Sequence, residues 1–316
     1  SYSPIDFDAL PAVDLDVPGA YLNEQISQEF QLLWDNDGPF AGLLGFYYLD
    51  AKADTLFDVR IYTTFAGLTA FTQANVDTET FAIFGDFTYD LTDQFSLSVG
   101  GRYTWDERSA EILRQNYLGG GSPEFGGAGV PFGAASTDFN GSREFKKFTP
   151  RASLSFMPTP DHNIYASYSK GFKGGGFDPR GVGTNAPAAT PGAPTDAEVA
   201  AFLSFAPEEV DSYEIGYKGN IGILNIAAAA FYADYTDVQI PGSVACEVGG
   251  LPSFCGVVSN AGKATFKGVE LEANARFGGG FGLAGSLGYI DAQYDEYITN
   301  IGNTPTDVAA FRVVQN

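Results

Sequence analysis

Carboxylate groups at two places in the sequence have the spacing that most suggests chemistry. Glu208, Glu209 and Asp211 lie within four residues of one another, and Glu270 and Glu272 are two residues apart. Paired carboxylates can act as general acid and base, and they cleave glycosidic bonds when they are held at a defined separation. Sequence spacing fixes no such separation here. We therefore predict no catalytic residue and expect a protein that is not an enzyme.

The remaining reactive groups are few. A single histidine, His162, and two cysteines exclude most metal centres and histidine-dependent catalytic groups, so we expect no metal and no cofactor. The segment GFKGGGF (Gly171–Phe177) lacks the spacing of a phosphate-binding loop, and no helix pattern follows it. The chain has 17 Lys+Arg against 39 Asp+Glu, a net charge of −22, which would repel nucleic acid.

Both cysteines fall in one stretch, CEVGGLPSFC, where Cys246 and Cys255 could close a local disulfide bond. Such a bond would stabilise an exposed loop in an oxidising compartment. Two free thiols are the alternative, because spacing alone does not establish disulfide geometry. We favour the disulfide.

Alternation with a period of two indicates long β-strands. In FSLSVGGRYTWD (Phe95–Asp106) every second residue from Phe95 is apolar or glycine, and about eleven residues suit a tilted strand that crosses a bilayer. The run Ala227–Ala230 is apolar on both faces and also fits a helix, but its β-branched and aromatic neighbours favour a strand. Ten strands are predicted: Glu24–Trp34, Phe40–Leu49, Thr80–Leu91, Phe95–Asp106, Glu144–Met157, Asn163–Phe172, Val210–Gly219, Ile223–Asp237, Lys267–Phe277 and Phe281–Asp295.

The connections between these strands alternate between short polar turns and long segments. The long ones are Asp50–Glu79, Glu107–Arg143, Lys173–Glu209 and Ile240–Ala264. Outer-membrane barrels have this asymmetry, with short periplasmic turns and long extracellular loops. No stretch of 18 apolar residues and no signal peptide are visible. The fold class predicted is all-β, an antiparallel transmembrane β-barrel segment.

A barrel assigns roles to the polar and aromatic residues. The polar face of its strands would line the lumen, with Arg102, Arg151, Glu270, Glu272 and Arg276. Aromatic girdles at the membrane interfaces are predicted to contain Tyr103, Trp105, Tyr165, Tyr168, Tyr217, Tyr232 and Tyr289. Candidates for ligand contact in extracellular loops are Tyr117, Phe125, Phe132, Phe172, Phe177 and Arg180, although packing within the loops is the simpler role.

Ordered motifs on these strands resemble the TonB-dependent outer-membrane receptors. The resemblance covers nearly the whole chain from about Glu24. It rests on EQISQEFQL (24–32), WDNDGPFAGLLGFYY (34–48), FAIFGDFTYDLTDQFSLSVGGRYTWDE (81–107), KFTPRASLSF (147–156), NIYASYSKGFKGGGFD (163–178), APEEVDSYEIGYKG (206–219), AFYADYTDVQ (230–239) and NAGKATFKGVELEA (260–273).

The resemblance implies a barrel of about 22 strands that is filled by an N-terminal plug domain. The family draws energy from the TonB–ExbB–ExbD complex, which acts through the plug. Residues 1–316 would then be a partial barrel domain of about ten strands, truncated at both ends, without the plug, a TonB box or the terminal strands.

The function implied is that of an outer-membrane receptor in a Gram-negative cell, surrounded by outer-membrane lipid. It would import a scarce, bulky solute, with a ferric siderophore or other iron complex favoured over vitamin B12-type ligands, oligosaccharides and other nutrients. One alternative is a passive porin or a structural outer-membrane barrel. A second is a soluble, secreted β-sandwich that binds carbohydrate through aromatic loops.

Overall fold

Antiparallel strands make up most of the protein. The computed structural model describes residues 2–6, 15–35, 38–62, 67–248, 251–260, 262–301 and 304–311. One α-helix, α1 (Asp196–Leu203), begins at a capping box formed by Thr195 and Glu198. The strands are β1 (Tyr2–Asp6), β2 (Leu15–Trp34), β3 (Phe40–Ile61), β4 (Leu68–Asp90), β5 (Phe95–Leu118), β6 (Val130–Pro131), β7 (Thr137–Thr159), β8 (His162–Lys173), β9 (Gly176–Phe177), β10 (Ser204–Phe205), β11 (Glu208–Ile221), β12 (Leu224–Thr236), β13 (Gln239–Val248), β14 (Leu251–Asn260), β15 (Gly262–Arg276), β16 (Gly282–Ile301) and β17 (Thr304–Asp307).

In the part of the chain that the structure describes, thirteen strands form one sheet. Its order is β1-β2-β3-β4-β5-β7-β8-β11-β12-β15-β16-β17, with β6 paired to β5. Each neighbouring pair is antiparallel, and β9–β10 and β13–β14 form two further two-stranded sheets. All ten predicted strands are present, the Ala227–Ala230 run included, so the predicted fold class is confirmed. Among the described residues, no helix combines the length and apolarity needed to cross a membrane.

The cross-strand register gives the sheet two chemically distinct faces. On β5 we call inner the face that bears Arg102, Asp106 and Ile112, because the segment after β8 packs over it. The outer face of β5 bears Val99 and Trp105. Since directly paired residues of antiparallel strands lie on the same face, the register extends both faces across the sheet.

Aromatic side chains form two bands on the outer face. In the upper band, the ring centroids of Phe81 and Trp105 are 5.1 Å apart. In the lower band, those of Phe95 and Phe156 are 4.5 Å apart. Phe95 and Trp105 are ten residues apart, which corresponds to about 34 Å along the strand, or roughly 25 Å across a bilayer at a tilt of about 45°. That is the height of the apolar band of an outer-membrane barrel.

The upper band continues along the same face across β8, β11 and β12. There the ring of Tyr213 contacts those of Tyr168 and Tyr232. The prediction that Tyr165 belongs to a girdle is wrong. Tyr165 lies on the inner face, because it pairs with Ser155 and its hydroxyl donates to Glu214 Oε1 at 2.7 Å. An odd-numbered residue of β8 cannot share the face of Tyr168.

The long connections are shorter than the sequence analysis predicts. Much of Asp50–Glu79 is strand, since β3 and β4 remain paired up to Ile61 and Leu68. β5 and β7 likewise extend above the upper aromatic band, where Arg114 pairs with Thr137. The missed signal is the alternation in DAKADTLFDVRI (50–61), in which mostly polar and mostly small or apolar residues follow one another. Above the upper aromatic band the outer face of the strands becomes polar, so the apolar stripe by which a spanning strand is predicted is weaker.

The two faces should respond differently to the same charge. In the full-length protein, Val99→Arg places a cation in the middle of the outer apolar band and is expected to cost about 2–4 kcal/mol of folding free energy. The matched control is Ser153→Arg, which lies on the inner face opposite Ser98. The fraction of heat-modifiable, folded protein in isolated membranes measures both. Equal losses for the two variants would contradict the assignment of the faces.

Candidate functional site

The carboxylates that suggested chemistry are engaged in ion pairs or lie dispersed over the sheet. Glu209 accepts from Lys147 and from Lys170, whose Nζ lies 2.7 Å from Glu209 Oε2. These two hydrogen bonds lower the pKa of Glu209, which opposes a role as a general acid. Among the described residues, no group of three or more His, Cys, Asp or Glu is arranged to hold a metal ion.

The five predicted lumen residues all lie on the inner face by register. Arg102 and Arg151 lie on neighbouring strands, and Arg151 Nε is 2.6 Å from Asp86 Oδ2. Glu270 and Glu272 lie on β15 opposite small residues of β12 and β16, with Arg276 at the end of the same strand. Their common face is a structural observation, and the lumen itself stays a prediction.

The segment between β8 and β11, residues 174–207, folds against the upper inner face. We call it the inner segment. Phe177, of which only 6% is exposed, packs in a cluster with Ile112, Phe139 and Leu203. The glycines before it permit this approach, because a Cβ on Gly175 would lie 2.5 Å from the carbonyl oxygen of Phe205. The run GFKGGGF therefore serves close backbone packing rather than phosphate binding.

Buried hydrogen bonds fix the middle of this inner segment. Thr137 Oγ1 donates to the carbonyl oxygen of Gly181 at 3.1 Å and accepts from the backbone N–H of Gly183 at 2.8 Å. The guanidinium of Arg114 donates to the carbonyl oxygen of Arg180. Burial lowers the pKa of Arg114 to about 10, although the nearby carboxylate of Asp178 opposes the shift.

The side chain of Arg180 is held by a bidentate pair. Its Nε and Nη2 each lie 2.9 Å from an oxygen of Asp178, and 37% of the Arg180 side chain is exposed. The planar guanidinium has further N–H groups that this pair does not use. Of the six ligand candidates, Arg180 is the charged one that the inner segment holds in a defined position.

A disulfide bond joins Cys246 and Cys255 across the β13–β14 hairpin. Cys255 packs against Val182, which is fully buried in the inner segment. The backbone N–H of Gly256 donates to the carbonyl oxygen of Arg180 at 3.1 Å. The hairpin thus supports the inner segment from the side opposite β5 and β7.

The other loop candidates lie on the outer side of the sheet. Tyr117 is buried, and its ring packs edge-on against Phe71. Phe125 contacts Tyr2, whereas Phe132 is 40% exposed near the turn that follows β6. The buried carboxylate of Asp58 anchors this segment by accepting from the backbone N–H of Ser122.

The structure therefore divides the six candidates instead of bringing them together. Phe177 and Arg180 lie in the inner segment. On the outer side of the sheet are Tyr117, at the end of β5, and Phe125 and Phe132, in the connection to β7. Phe172 lies on β8 opposite Glu209. Ligand contact by any of them stays a prediction. Sequence reasoning missed Arg114, Thr137 and Asp178, which position the inner segment. For Arg114 and Thr137 the one sequence signal is a polar residue at a position that the extended alternation places on an inner face. Asp178 lies outside the strands and has no such signal.

Comparison with known proteins gives one family over almost the whole chain. Residues 4–314 match the model of the TonB dependent receptor-like, beta-barrel family. The chain is 29% identical over 204 residues to the pesticin receptor of Yersinia enterocolitica, and 29% identical over 203 residues to that of Yersinia pestis. Each match covers 64% of this chain and 24% of the relative, so the chain spans about a quarter of the curated relatives' length.

Solved structures show the same fold. The ferric yersiniabactin uptake receptor FyuA from Yersinia pestis aligns with a TM-score of 0.66 and 23% identity, over 90% of this chain and 37% of that one. The ferric-catecholate import receptor Fiu from K12 E. coli aligns with a TM-score of 0.53 and 18% identity, over 90% and 39% of the two chains. At these identities the likeness concerns the fold alone.

Removal of the Phe177 ring should loosen the inner segment. In the complete receptor, Phe177→Ala is expected to cost roughly 3 kcal/mol of local stability, because it leaves a cavity beside Ile112 and Leu203. Protease cleavage within residues 186–195 should accelerate, since cleavage follows local opening. Phe132→Ala is the matched control and should leave this rate unchanged. An unaltered rate in Phe177→Ala would contradict the packing role.

Loss of the disulfide should destabilise the hairpin locally. With Cys246→Ser and Cys255→Ser combined, the chain-entropy model gives a loss of about 2–3 kcal/mol for a loop of this length. Amide hydrogen exchange of β13 and β14 should speed up, while the β11–β12 amides remain protected. Exchange in β13 and β14 that is identical with and without the bond would refute this role.

Proposed function

The chain belongs to the TonB-dependent receptor-like β-barrel family, and we propose that it forms part of the wall of a receptor that imports a scarce, bulky solute across the outer membrane. The solute proposed is a ferric siderophore or another iron complex. Proteins of this family are outer-membrane β-barrels of Gram-negative bacteria, which gives the chain its cellular location. The observation that carries the proposal is the family match over residues 4–314.

The layout of the sheet supports an import route along the inner face. Its outer face carries an apolar band between two aromatic bands, as contact with lipid requires. Its inner face is rich in hydroxyl and charged side chains, which a water-filled interior tolerates. The segment with Phe177 and Arg180 lies over the extracellular end of that face, where an arriving solute would meet it first.

Relatives support the class of solute. One similar structure is named for ferric yersiniabactin uptake and another for ferric-catecholate import. The common element in these names is Fe(III) held by a chelating small molecule. An iron chelate is therefore the solute class that we propose for this receptor, without assigning either compound to it.

The energy for transport would come from outside this chain. We propose that the TonB–ExbB–ExbD complex acts on the complete receptor through a plug domain, and that outer-membrane lipid surrounds the apolar band. The chain itself would bind and orient the solute without changing it covalently, in agreement with relatives that are named as receptors and transporters.

Iron uptake into cells tests the proposal. The complete receptor is expressed in a strain that lacks other receptors of this family, and radioactive iron is supplied as a panel of ferric chelates. We expect uptake of at least one chelate, and we expect deletion of TonB to abolish it. Uptake that persists without TonB would favour a passive porin, whereas no uptake of any chelate would overturn the proposed solute class.

A further inference from the structure

The inner segment is a loop whose two ends are joined to each other. Near its start, β9 pairs with β10, which lies near its end. The backbone N–H of Asp178 extends this junction by donating to the carbonyl oxygen of Leu203 at 2.8 Å. The residues between them, which include α1, therefore leave and return through a narrow neck.

A glutamine of the β13–β14 hairpin binds both ends of this loop. Gln239 is the first residue of β13, and only 8% of it is exposed. Its side-chain Nε2 donates to the carbonyl oxygen of Gly174 at 2.8 Å and to that of Ala206 at 3.1 Å. These two residues lie at the start and at the end of the inner segment. One amide group thus fastens the neck of the loop to the base of the hairpin.

Asn260, the last residue of β14, binds the same end of the loop. Its Nδ2 donates to the carbonyl oxygen of Ala206 at 2.8 Å, and its Oδ1 accepts from the backbone N–H of Ala206 at 2.7 Å. A side-chain amide therefore satisfies both backbone groups of one residue, as a neighbouring strand would. Both strands of the hairpin contribute to this attachment.

A second attachment lies farther along the hairpin, beside the disulfide bond. There the backbone N–H of Gly256 donates to the carbonyl oxygen of Arg180, and the two residues are so close that a Cβ on Gly256 would collide with the Cβ of Arg180. Gly256 and Asn260 are four residues apart, which corresponds to about 13 Å along β14. Two attachments at this separation restrict rotation of the inner segment against the hairpin.

The inner segment is thus held between two parts of the sheet. On one side Phe177 packs against the wall, and Arg114 and Thr137 bind the segment's backbone. On the other side lies the hairpin, which connects β12 to β15. Its contacts lie above the upper aromatic band, because Gln239 follows β12 beyond Tyr232. A segment that is ordered before a ligand arrives does not have to be ordered by that ligand, which favours binding.

We propose that the β13–β14 hairpin positions the inner segment for solute capture, so that Gln239, Asn260 and Gly256 set the affinity of the receptor for its solute by acting through that segment. The inference rests on the proposed function and adds to it positioning residues from a different connection of the sheet. A segment that is ordered for only part of the time lowers the apparent affinity in proportion to the ordered fraction. The contacts of the hairpin raise that fraction.

Amide hydrogen exchange tests the attachment in the absence of solute. In the complete receptor, Gln239→Leu should accelerate exchange within residues 176–186 about tenfold, because two hydrogen bonds that oppose local opening are lost. Gln115→Leu is the matched control, since Gln115 Nε2 likewise donates to two loop carbonyls, those of Phe132 and Gly133, on the outer side of the sheet. It should leave this exchange unchanged.

Gly256→Ala tests the second attachment. The added Cβ forces the hairpin away from Arg180, so exchange within residues 176–186 should again accelerate. Gly285→Ala, on β16, is the matched control, because nothing lies within 4 Å of a Cβ at that position. Unchanged exchange in both Gln239→Leu and Gly256→Ala would overturn the positioning role for any solute.

The kinetics of uptake test the consequence for the solute. Radioactive iron is supplied as a panel of ferric chelates, and receptor abundance in the membrane is measured for every variant. For a chelate that the wild-type receptor imports, Gln239→Leu should raise KM about five- to tenfold and leave the maximal rate unchanged. A variant that merely folds poorly would instead lower the maximal rate through its abundance. Gln115→Leu should change neither quantity.

The two measurements separate this inference from the function on which it rests. Accelerated exchange with an unchanged KM would overturn the role of the hairpin in solute capture, while iron import stands. If the wild-type receptor imports no chelate, the proposed solute class is overturned. The exchange rates then still decide whether the hairpin holds the inner segment.

Discussion

The constraint on which this structure depends is that a backbone in a bilayer must satisfy its own hydrogen bonds. Each N–H or C=O left unpaired in hydrocarbon costs several kcal/mol, so strands that cross it must pair along their whole apolar length. The β3–β4 and β4–β5 ladders do so without interruption from the lower aromatic band to well above the upper one. Unbroken pairing then fixes the register, and the register fixes which side chains face inward.

The spanning strands could be predicted because that constraint leaves a strong sequence signal. In Phe95–Asp106 the outer face is apolar and the inner face is polar, so the two kinds of residue alternate sharply, as on a strand between lipid and a wet interior. Above the upper band the signal weakens. Asp50, Lys52 and Asp54 lie there on the outer face, opposite Glu79, Asp77 and Asn75. A search for apolar alternation finds no strand in such a region, although the same ladder continues through it.

The candidate site was harder to predict because its contacts join distant parts of the chain. Arg114 meets Arg180 and Thr137 meets Gly181, partners that are 66 and 44 residues apart. Neither pairing has a local motif, since each depends on how the inner segment returns over β5 and β7. Tyr165 differs, because its alternation with Ile164 and Ala166 already places it on the inner face. In that case the information was present in the sequence.

The sorting of charge follows from what each face meets. On the outer face above the upper band, Asp50, Glu79, Glu107 and Glu144 lie directly opposite one another on four successive strands. Like charges in such positions destabilise a sheet unless water and counter-ions screen them. The inner faces of β5 and β7 at the same height carry mostly cations. Since the sheet places the two sets on opposite sides, the net charge of −22 describes neither surface.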